Sequence, residues 1–453
     1  VYKLFRPVKE CELAESVAAD ARNVSIRANG AEIDPILYSI HKDQDFATLF
    51  LCNTSMDQTT RQFDAPLSRD RKLEFPVAEI AWKQPENRTV CELDLRTGKR
   101  YAVKTTYRNG CLVFETSFVP LESRLFIASD EAVACSAESR TAPKLSSTAL
   151  LPRSGWEVLT DDPNVLVLDH PACSADGGYF MIPEYVNRVD DYLRELLGKR
   201  PRGGAMVQPW CRLKETPARS IDLRLRYTFQ CEALPTEIFL GIERPDLYTA
   251  TLNGKEFPMH DDGFWCDRSM RKIPVPASLL QKGENSLELH CPAYHELLPG
   301  LETIYLLGNF GVKGNTLTPP PKTLEIGDWC SQGFQNYAGN LTYRTTFRKP
   351  ETDGPVVLEI PEWRGVALGV RVNGSDPIMI PWPPFSADIT SLLNEGENVL
   401  EIEVLGHRRN SHGPFYLTTK WPNWTGPAEF KRYLVTNRQL VPCGLLEPPV
   451  LKF

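Results

Sequence analysis

Apolar and polar residues alternate with a period of two along much of the chain from Ile36 onwards, as in LEFPVAEIAW and CLVFETSF. Such alternation puts apolar side chains on one face of a strand and predicts half-buried β-strands. Turn residues separate the segments, and Asn109-Gly110 predicts a tight hairpin between two of them. Because these strands follow one another without helices, we predict an all-β fold that begins with a β-sandwich.

Helical patterns are few. Residues 8–22 carry an amphipathic pattern that predicts a short helix, which we interpret as the end of a domain upstream. Apolar residues recur at helical spacing from Val186 to Leu197, and Gly198 suits the end of that helix. The 37 prolines and 29 glycines leave little room for other long helices.

A sequence repeat covers the second half of the chain. In the first copy a strand ends at Asn253-Gly254 and a later strand begins at Gly283–Asn285. The second copy has the same order, with Asn373-Gly374 and Gly396–Asn398. Asn-Gly tolerates positive φ and suits a tight turn. Two matches in the same order predict two copies of one β-module.

The chain has 453 residues and is too long for a single hydrophobic core. The prolines at 319–321 have the composition of a linker. These patterns predict an upstream remnant at residues 1–22, a β-sandwich at 23–130, a first module at 131–320 with a helical insertion near 184–198, and a second module at 321–453.

The charge of the chain restricts its partners. A net charge of −7 and a pI of about 5.7 give no basic surface for nucleic acid. No apolar run approaches the roughly 18 residues that a membrane span requires, so we expect no membrane partner. The chain opens at Val1 without a signal peptide pattern, and we expect it to be a piece of a longer protein.

The 12 cysteines and seven histidines show no metal-ligand spacing, so the residues predict neither a metal site nor a cofactor. Most cysteines lie within strand-like segments, which favours reduced and buried thiols. Thiols of this kind favour a reducing compartment. The localisation stays open, because a missing upstream segment would carry any export signal.

The order strand, Asn-Gly, ASLL, Gly-Glu-Asn, strand resembles the galactose-binding-like jelly-roll modules beside the catalytic barrels of glycoside hydrolase family 2 and its relatives. Gly327–Phe347 resembles the opening strand of such a module, and Gly406–Phe415 resembles a stretch near the end of the last module. Pro163–His170 and Leu301–Val312 are similar to segments of these multidomain proteins, including α-L-rhamnosidase family 106. The sandwich at 33–130 resembles the β-domain that follows the barrel.

The resemblance implies one β-sandwich and two galactose-binding-like jelly rolls from the C-terminal part of a large glycoside hydrolase. A catalytic (β/α)₈ barrel needs roughly 250 residues of alternating strands and helices, and this sequence has no such region. We therefore expect a non-catalytic region that supports an upstream catalytic domain and contributes to binding a glycan or oligosaccharide. The resemblance also implies that such modules commonly hold a structural Ca²⁺, for which no residues are assigned here.

Aromatic and planar polar side chains are candidates for sugar contact, because sugar C–H faces stack on rings while hydroxyls pair with amides and guanidinium groups. The predicted carbohydrate-binding residues form two clusters: Trp329, Gln335, Asn336 and Tyr337, and then Arg408, Asn410 and His412. Further aromatic candidates are Trp382, Trp421 and Trp424. The alternative for each residue is a place in the core or a hydrogen bond that braces a loop. Docking of the 408–412 loop against the upstream domain is a further interpretation.

Paired carboxylates would carry glycoside hydrolysis. The pairs Asp161-Asp162, Asp190-Asp191 and Asp261-Asp262 are neighbours in sequence, so we interpret them as solvated turn or helix residues and assign no catalytic residue. Two alternatives to the accessory region remain. One is a stand-alone carbohydrate-binding or adhesion protein, and the other is a polysaccharide lyase with Tyr, His, Arg or Lys side chains converging from different strands.

Overall fold

The computed structural model describes residues 22–56, 73–131, 134–135, 145–203, 216–417, 431 and 435–453. The chain is all-β, as predicted, and the described residues contain only two α-helices, α1 (Val186–Leu196) and α2 (Arg409–His412). Neither of these helices is long and apolar enough to cross a membrane. The helix predicted at 8–22 and the candidates Trp421 and Trp424 lie outside the described residues.

The chain forms two compact units. One unit comprises Val1–Ser146 with Met379–Ser386, and the other comprises Ser147–Ile378 with Ala387–Phe453. The first unit contains one β-sandwich, which we call the first sandwich. The second unit contains two modules, which we call the inserted module and the outer module.

The first sandwich consists of two antiparallel sheets, ordered β2-β1-β5-β9-β8 and β3-β4-β10-β6-β7. Alternate residues of these strands face the space between the sheets, where Leu49, Trp82 and Phe126 are fully buried. The strands are β1 (Val24–Ala28), β2 (Ala31–Glu32), β3 (Ile36–Lys42), β4 (Phe46–Asn53), β5 (Phe75–Lys83), β6 (Thr89–Leu93), β7 (Arg100–Ala102), β8 (Thr106–Arg108), β9 (Cys111–Phe118) and β10 (Ser123–Ser129).

The hairpin predicted at Asn109-Gly110 is present between β8 and β9. Arg108 pairs with Cys111 across the turn. Asn109 and Gly110 have φ values of 50° and 78°, which lie in the left-handed region that these two residue types adopt most easily. The dipeptide therefore identified the turn because few other residues tolerate its backbone geometry.

A buried ion pair connects the neighbouring strands β6 and β10 of the first sandwich. Arg124 Nε and Nη2 donate to the two carboxylate oxygens of Glu92 at 2.9 and 2.6 Å. Arg124 Nη1 donates to the Ser117 carbonyl at 2.8 Å and to the Thr116 hydroxyl. The sandwich itself therefore provides hydrogen-bond partners at all three guanidinium nitrogens.

The inserted module is a second sandwich, with sheets ordered β13-β22-β16-β20-β19 and β18-β17-β21-β15-β24-β23; β14 pairs with β15. Helix α1 confirms the helix predicted after residue 184, and Val186, Val189 and Leu193 pack into the module's core. The strands are β13 (Asn164–Leu168), β14 (Ala172–Ala175), β15 (Ile221–Cys231), β16 (Ile238–Glu243), β17 (Thr249–Leu252), β18 (Lys255–Phe257), β19 (Phe264–Trp265), β20 (Asp267–Pro274), β21 (Gly283–Tyr294), β22 (Ile304–Gly308), β23 (Gly311–Lys313) and β24 (Thr316–Thr318).

The outer module has sheets ordered β11-β34-β27-β31 and β25-β12-β26-β32-β29-β30, and a small sheet β28-β33. Its strands are β11 (Thr148–Leu150), β12 (Trp156–Thr160), β25 (Thr323–Leu324), β26 (Leu341–Arg348), β27 (Val357–Glu359), β28 (Trp363–Arg364), β29 (Leu368–Val372), β30 (Ile378–Ile380), β31 (Ser386–Asp388), β32 (Glu397–Val404), β33 (Gly444–Leu445) and β34 (Val450–Lys452).

The outer module is built from both ends of its unit. Strand β11 pairs with β34, so that Thr148 lies opposite Lys452, and β12 pairs with β26. The inserted module occupies the chain between β12 and β25. This division differs from the boundary predicted at residues 320 and 321, because the repeated motifs lie in the later strands of each module and do not show where the first strands pair.

The first copy of the repeat is held by two asparagines. Asn253 has a φ of 54° at the Asn-Gly turn, and its Nδ2 donates to Asn285 Oδ1 and to the Leu279 carbonyl, both at 2.9 Å. Asn285, from the Gly-Glu-Asn motif, is fully buried and its own Nδ2 donates to the Gln281 carbonyl at 2.7 Å. We call this arrangement the asparagine clasp.

The second copy contains the same clasp. Asn373 has a φ of 53°, and its Nδ2 donates to Asn398 Oδ1 at 2.7 Å and to the Leu392 carbonyl at 2.9 Å. Asn398 is 1% exposed and donates to the Asn394 carbonyl at 3.1 Å. The repeated Asn-Gly and Gly-Glu-Asn motifs are therefore coupled parts of one structural device.

Candidate functional site

Four of the seven predicted carbohydrate-binding residues lie in the interior of the outer module. Trp329 and Tyr337 are each 1% exposed and meet edge to face with 6.1 Å between ring centroids. Asn336 Nδ2 donates to the Asn410 carbonyl at 2.7 Å, and Asn410 Nδ2 donates to the Val441 carbonyl at 2.8 Å. Side chains without exposed surface stabilise the fold, so we do not include these four in the candidate site.

Arg408 and His412 come together around Trp265 of the inserted module. The Arg408 guanidinium lies 5.2 Å from the Trp265 ring centroid. The His412 ring stacks on the Trp265 ring, with 5.6 Å between the two centroids. Asp162 accepts from Trp265 Nε1 at 3.0 Å and pairs with Arg408 at 3.7 Å. Loss of solvent, together with the Arg408 charge, lowers the pKa of His412 to about 4. These contacts leave Trp265 only 3% exposed, so its ring offers no open face to a sugar.

Gln335, the remaining predicted residue, lines a cavity of about 490 Å³ between the inserted and outer modules. A volume of this size falls in the range of small-ligand sites in proteins. Asp169 is one of the lining residues, and we call this space the Asp169 cavity. Its other polar lining residues are His170, Tyr227, Thr228, Asn315, Tyr416, Thr436, Asn437 and Arg438.

Asp169 follows the last residue of β13, whose five residues are all buried, and is itself 1% exposed. Its carboxylate accepts from Arg438 Nη2 at 2.5 Å and from the Tyr416 hydroxyl at 2.9 Å. His170 Nδ1 lies 2.9 Å from the same carboxylate. Arg438 also donates to the Val167 carbonyl at 2.9 Å. His170, which is next to Asp169 in sequence, and the distant residues Tyr416 and Arg438 therefore converge on one buried carboxylate.

The electrostatics of this group favour an ionised aspartate. Burial alone would raise the pKa of Asp169, but the Arg438 charge and the hydrogen bonds from His170 and Arg438 outweigh it and lower that pKa to about 2. Burial, and next the Asp169 charge, raise the pKa of the Tyr416 hydroxyl. Tyr416 therefore acts as a hydrogen-bond donor here, and the Asp169 charge is balanced by Arg438.

Three aromatic rings pack together beside the carboxylate. The centroids of His170 and Tyr416 lie 5.4 Å apart, and those of Tyr185 and Tyr416 lie 5.3 Å apart. Tyr185 and Tyr416 are buried, whereas the His170 side chain is 35% exposed. Of the three rings, His170 therefore has the most surface to offer a ligand.

Amide and hydroxyl groups form the rim of the Asp169 cavity. Asn315 Nδ2 donates to the Thr228 carbonyl at 2.7 Å, and Gln335 Oε1 accepts from the Gly314 amide at 2.7 Å. These bonds fix the orientation of both side chains before a ligand arrives. Amides and hydroxyls can both donate and accept, which suits a ligand with many hydroxyl groups.

The first sandwich contains a cavity of a different character. It has a volume of about 570 Å³, is lined by Glu92 and Arg124, and we call it the Glu92 cavity. Its lining carries charged groups, including Lys104 and an ion pair in which Arg108 Nη2 lies 2.7 Å from Glu79. Charged side chains are strongly hydrated and match a neutral polyhydroxyl ligand less well than amides do. The Asp169 cavity is therefore the better candidate site.

Sequence reasoning identified only Gln335 among the residues of this cavity. Asp169 and His170 end the stretch Pro163–His170, which the sequence singled out only for its family resemblance. An apolar strand that ends in Asp-His is a signal that could have indicated them. Tyr416 and Arg438 carry no such signal, because only the fold brings them to Asp169.

Within the described part of the chain, no group of three or more His, Cys, Asp or Glu side chains is arranged to hold a metal ion.

Comparison with protein families found no matching family, and comparison with curated proteins found no match. Among solved structures, a rhamnosidase from Novosphingobium sp. PP1Y is 12% identical with a TM-score of 0.42; the match covers 98% of this chain and 26% of that protein. A β-D-mannosidase from Dictyoglomus thermophilum is 16% identical with a TM-score of 0.22, over 54% of this chain and 31% of that protein. An α-L-rhamnosidase from Streptomyces avermitilis is 12% identical with a TM-score of 0.18, over 68% and 38%.

The chain thus spans about a quarter of the length of the Novosphingobium rhamnosidase. These three proteins, two rhamnosidases and a mannosidase, are glycoside hydrolases. Because the identities and TM-scores are low, we base the function on the residues of the site.

Proposed function

We propose that this chain is the accessory, carbohydrate-binding region of a glycoside hydrolase and that the Asp169 cavity holds one or two sugar units of a glycan. The observation that carries the proposal is the lining of the cavity. A charge-balanced Asp169–Arg438 pair and the partly exposed His170 ring lie beside a rim of amides and hydroxyls. Sugar C–H faces pack on rings while sugar hydroxyls exchange hydrogen bonds with amides.

The charge balance favours a neutral sugar. Arg438 makes its close contact with Asp169, so its charge is already compensated. A sugar carboxylate entering the cavity would bring a second negative charge next to the buried Asp169. Like charges at short distance in a poorly solvated site repel strongly. We therefore expect neutral hexoses or deoxyhexoses to bind better than uronic acids.

Glycan binding by the full chain tests the proposal. Titration calorimetry with neutral oligosaccharides chosen from a glycan array should give saturable binding. His170→Ala should weaken it about tenfold, the loss of roughly one good contact. His260→Ala, at an exposed histidine outside the cavity, is the matched control and should bind as the original chain does. Equal binding by both variants would contradict the site.

A polysaccharide lyase is the second candidate, because His170, Tyr416 and Arg438 converge from different segments as a lyase requires. Two features oppose it. The pKa of Tyr416 is raised, so its hydroxyl stays protonated and cannot serve as the base. Arg438 is paired with Asp169 instead of facing a substrate carboxylate. Incubation with uronate-containing polysaccharides decides: a rise in ultraviolet absorbance from a new C=C bond would favour the lyase.

Support of an upstream catalytic domain is the part of the proposal that concerns the longer protein. The reading frame before Val1 should encode a (β/α)₈ pattern. A start codon at that position would instead favour a stand-alone carbohydrate-binding or adhesion protein. If an upstream barrel is found, its activity is measured alone and joined to this chain. Joining should raise its activity on a polymeric substrate more than its activity on a small aryl glycoside.

A further inference from the structure

One wall of the Asp169 cavity is held in place by the residues that follow it. Thr436, Asn437 and Arg438 line the cavity, and the chain is anchored a few residues later at Val441. The amide of Val441 donates to Asn410 Oδ1 at 2.9 Å, and its carbonyl accepts from Asn410 Nδ2 at 2.8 Å. The buried Asn410 is thus the fixed point of the wall.

Two cysteines meet at this anchor. The backbone amides of Cys330 and Cys443 both donate to the same oxygen, Asp328 Oδ1, each at 3.0 Å. Because they share one acceptor, the two backbone nitrogens lie within about 6 Å of each other, so the two cysteines are neighbours in space. The Trp329 amide also donates to the Cys443 carbonyl at 3.0 Å.

The side chains of the two cysteines converge as well. Asn410 Nδ2 lies 3.1 Å from Cys330 Sγ and 3.7 Å from Cys443 Sγ. Both sulfurs also approach the Val441 carbonyl, at 3.6 and 3.7 Å. The sulfur atoms therefore occupy one small volume inside the outer module.

Cys443 is the better nucleophile of the pair. His407 Nε2 lies 3.4 Å from Cys443 Sγ and can take up its proton. The neighbouring Cys330 thiol, and next the contact with His407, lower the pKa of Cys443, while the Cys443 sulfur and burial raise the pKa of Cys330. A thiolate beside a second thiol is the arrangement from which disulfides form.

We propose that Cys330 and Cys443 form a disulfide when the chain meets a peroxide, and that this bond fixes the C-terminal wall of the Asp169 cavity. The Cys443 thiolate attacks one peroxide oxygen, the O–O bond breaks, and Cys443 becomes a sulfenic acid with release of water. Cys330 then attacks the sulfenic sulfur, the S–O bond breaks, and a second water leaves. Two thiols and one hydrogen peroxide thus give one disulfide and two waters.

The first test is chemical and needs no ligand. The full chain is treated with hydrogen peroxide, blocked with a thiol reagent under denaturing conditions, digested and mapped by mass spectrometry. We expect a linked pair of peptides containing Cys330 and Cys443, lighter by two hydrogens than the reduced pair. Mapping is required because the chain contains ten other cysteines that peroxide could oxidise. Unlinked or singly oxidised Cys330 and Cys443 would overturn the inference.

The second test measures the effect on the fold. The bond closes a long loop, so the oxidised chain should unfold at a midpoint roughly 5 °C higher than the reduced chain. Cys443→Ser should abolish this shift, whereas Cys173→Ser, at a buried cysteine of the inserted module, should keep it. If Cys443→Ser does not fold, the comparison of oxidised and reduced original chain still decides the point.

The effect on ligand binding rests on the proposed function. A wall held by a disulfide loses less freedom when a glycan binds, so oxidation should tighten binding about threefold. If no glycan binds either form, the proposed function fails while peptide mapping and thermal shift still test the disulfide. If glycan binds both forms equally, the claim that the bond fixes the cavity wall is wrong.

Discussion

Two cavities of similar size, one in each compact unit, are both lined by an arginine paired with a buried carboxylate. In the Glu92 cavity, Arg124 makes a two-pronged contact with Glu92 and uses its third nitrogen on neighbouring groups. In the Asp169 cavity, Arg438 donates from one nitrogen to Asp169 and to the Val167 carbonyl, and the carboxylate also contacts His170 and Tyr416. An arginine–carboxylate pair therefore does not by itself mark a binding site, because packing alone accounts for the pair of Arg124 and Glu92.

Removing the arginine of each pair should have the largest effect. Arg438→Met and Arg124→Met each leave a carboxylate buried without its guanidinium, which should cost about 3–5 kcal/mol of unfolding free energy. Denaturant titration measures this loss. Of the variants that stay folded, only Arg438→Met should lose glycan binding. Loss of binding by Arg124→Met would reverse our choice of cavity.

Acid should weaken the unit that contains Asp169. An unfolded aspartate has a pKa near 3.9, whereas burial opposed by Arg438 and hydrogen bonds leaves the pKa of Asp169 at about 2. Because the folded pKa is the lower one, this contribution is complete above about pH 5 and disappears as the pH falls toward 2. It amounts to about 2–3 kcal/mol of unfolding free energy. Denaturation curves at several pH values should show an acid slope that Asp169→Asn lacks.

Substitutions in the asparagine clasps should lower the free energy of unfolding without changing either cavity. Asn285→Ala and Asn398→Ala each remove a buried side chain together with its hydrogen bonds to the adjoining turn, so each should cost about 2 kcal/mol. Denaturation should give similar losses for both, and glycan affinity should stay unchanged at temperatures where the variants are folded. Unequal losses would show that the two repeats do not use their clasps in the same way.

Substitutions at the rims of the cavities should change the free energy of unfolding least. They therefore separate an effect on glycan binding from an effect on the fold. Asn437→Ala removes an exposed amide of the Asp169 cavity, and Lys104→Ala removes an ammonium group of the Glu92 cavity. Each should change stability by less than about 0.5 kcal/mol. Asn437→Ala should weaken glycan binding by about 1 kcal/mol, roughly fivefold, and Lys104→Ala should not. Calorimetry on the two variants compares the cavities directly.

The all-β fold could be predicted because its signals are local. Alternation fixes which side chains face the core, and Asn109-Gly110 marks a turn through backbone geometry that few residues tolerate. The repeat was visible because Asn253 and Asn373 perform the same hydrogen bonding in both copies.

The candidate site could be predicted only in part. Asp169 and Arg438 are 269 positions apart, and no local pattern indicates that they meet. Tryptophan and asparagine are residue types that bind sugars, yet both Trp329 and Asn410 are buried. Burial of a polar or aromatic side chain in a loop depends on the packing of distant strands, which spacing in the sequence does not encode.

The pairing of β11 with β34 also sets an order of folding during synthesis. The strands of the inserted module lie between Asn164 and Thr318, so these strands can pair once that stretch has left the ribosome. The outer module must wait for Val450–Lys452 before Thr148–Leu150 gains its partner. Closing a contact across about 300 residues is slow. During that interval β11 has an unpaired edge, and an unpaired strand edge is open to pairing with other chains.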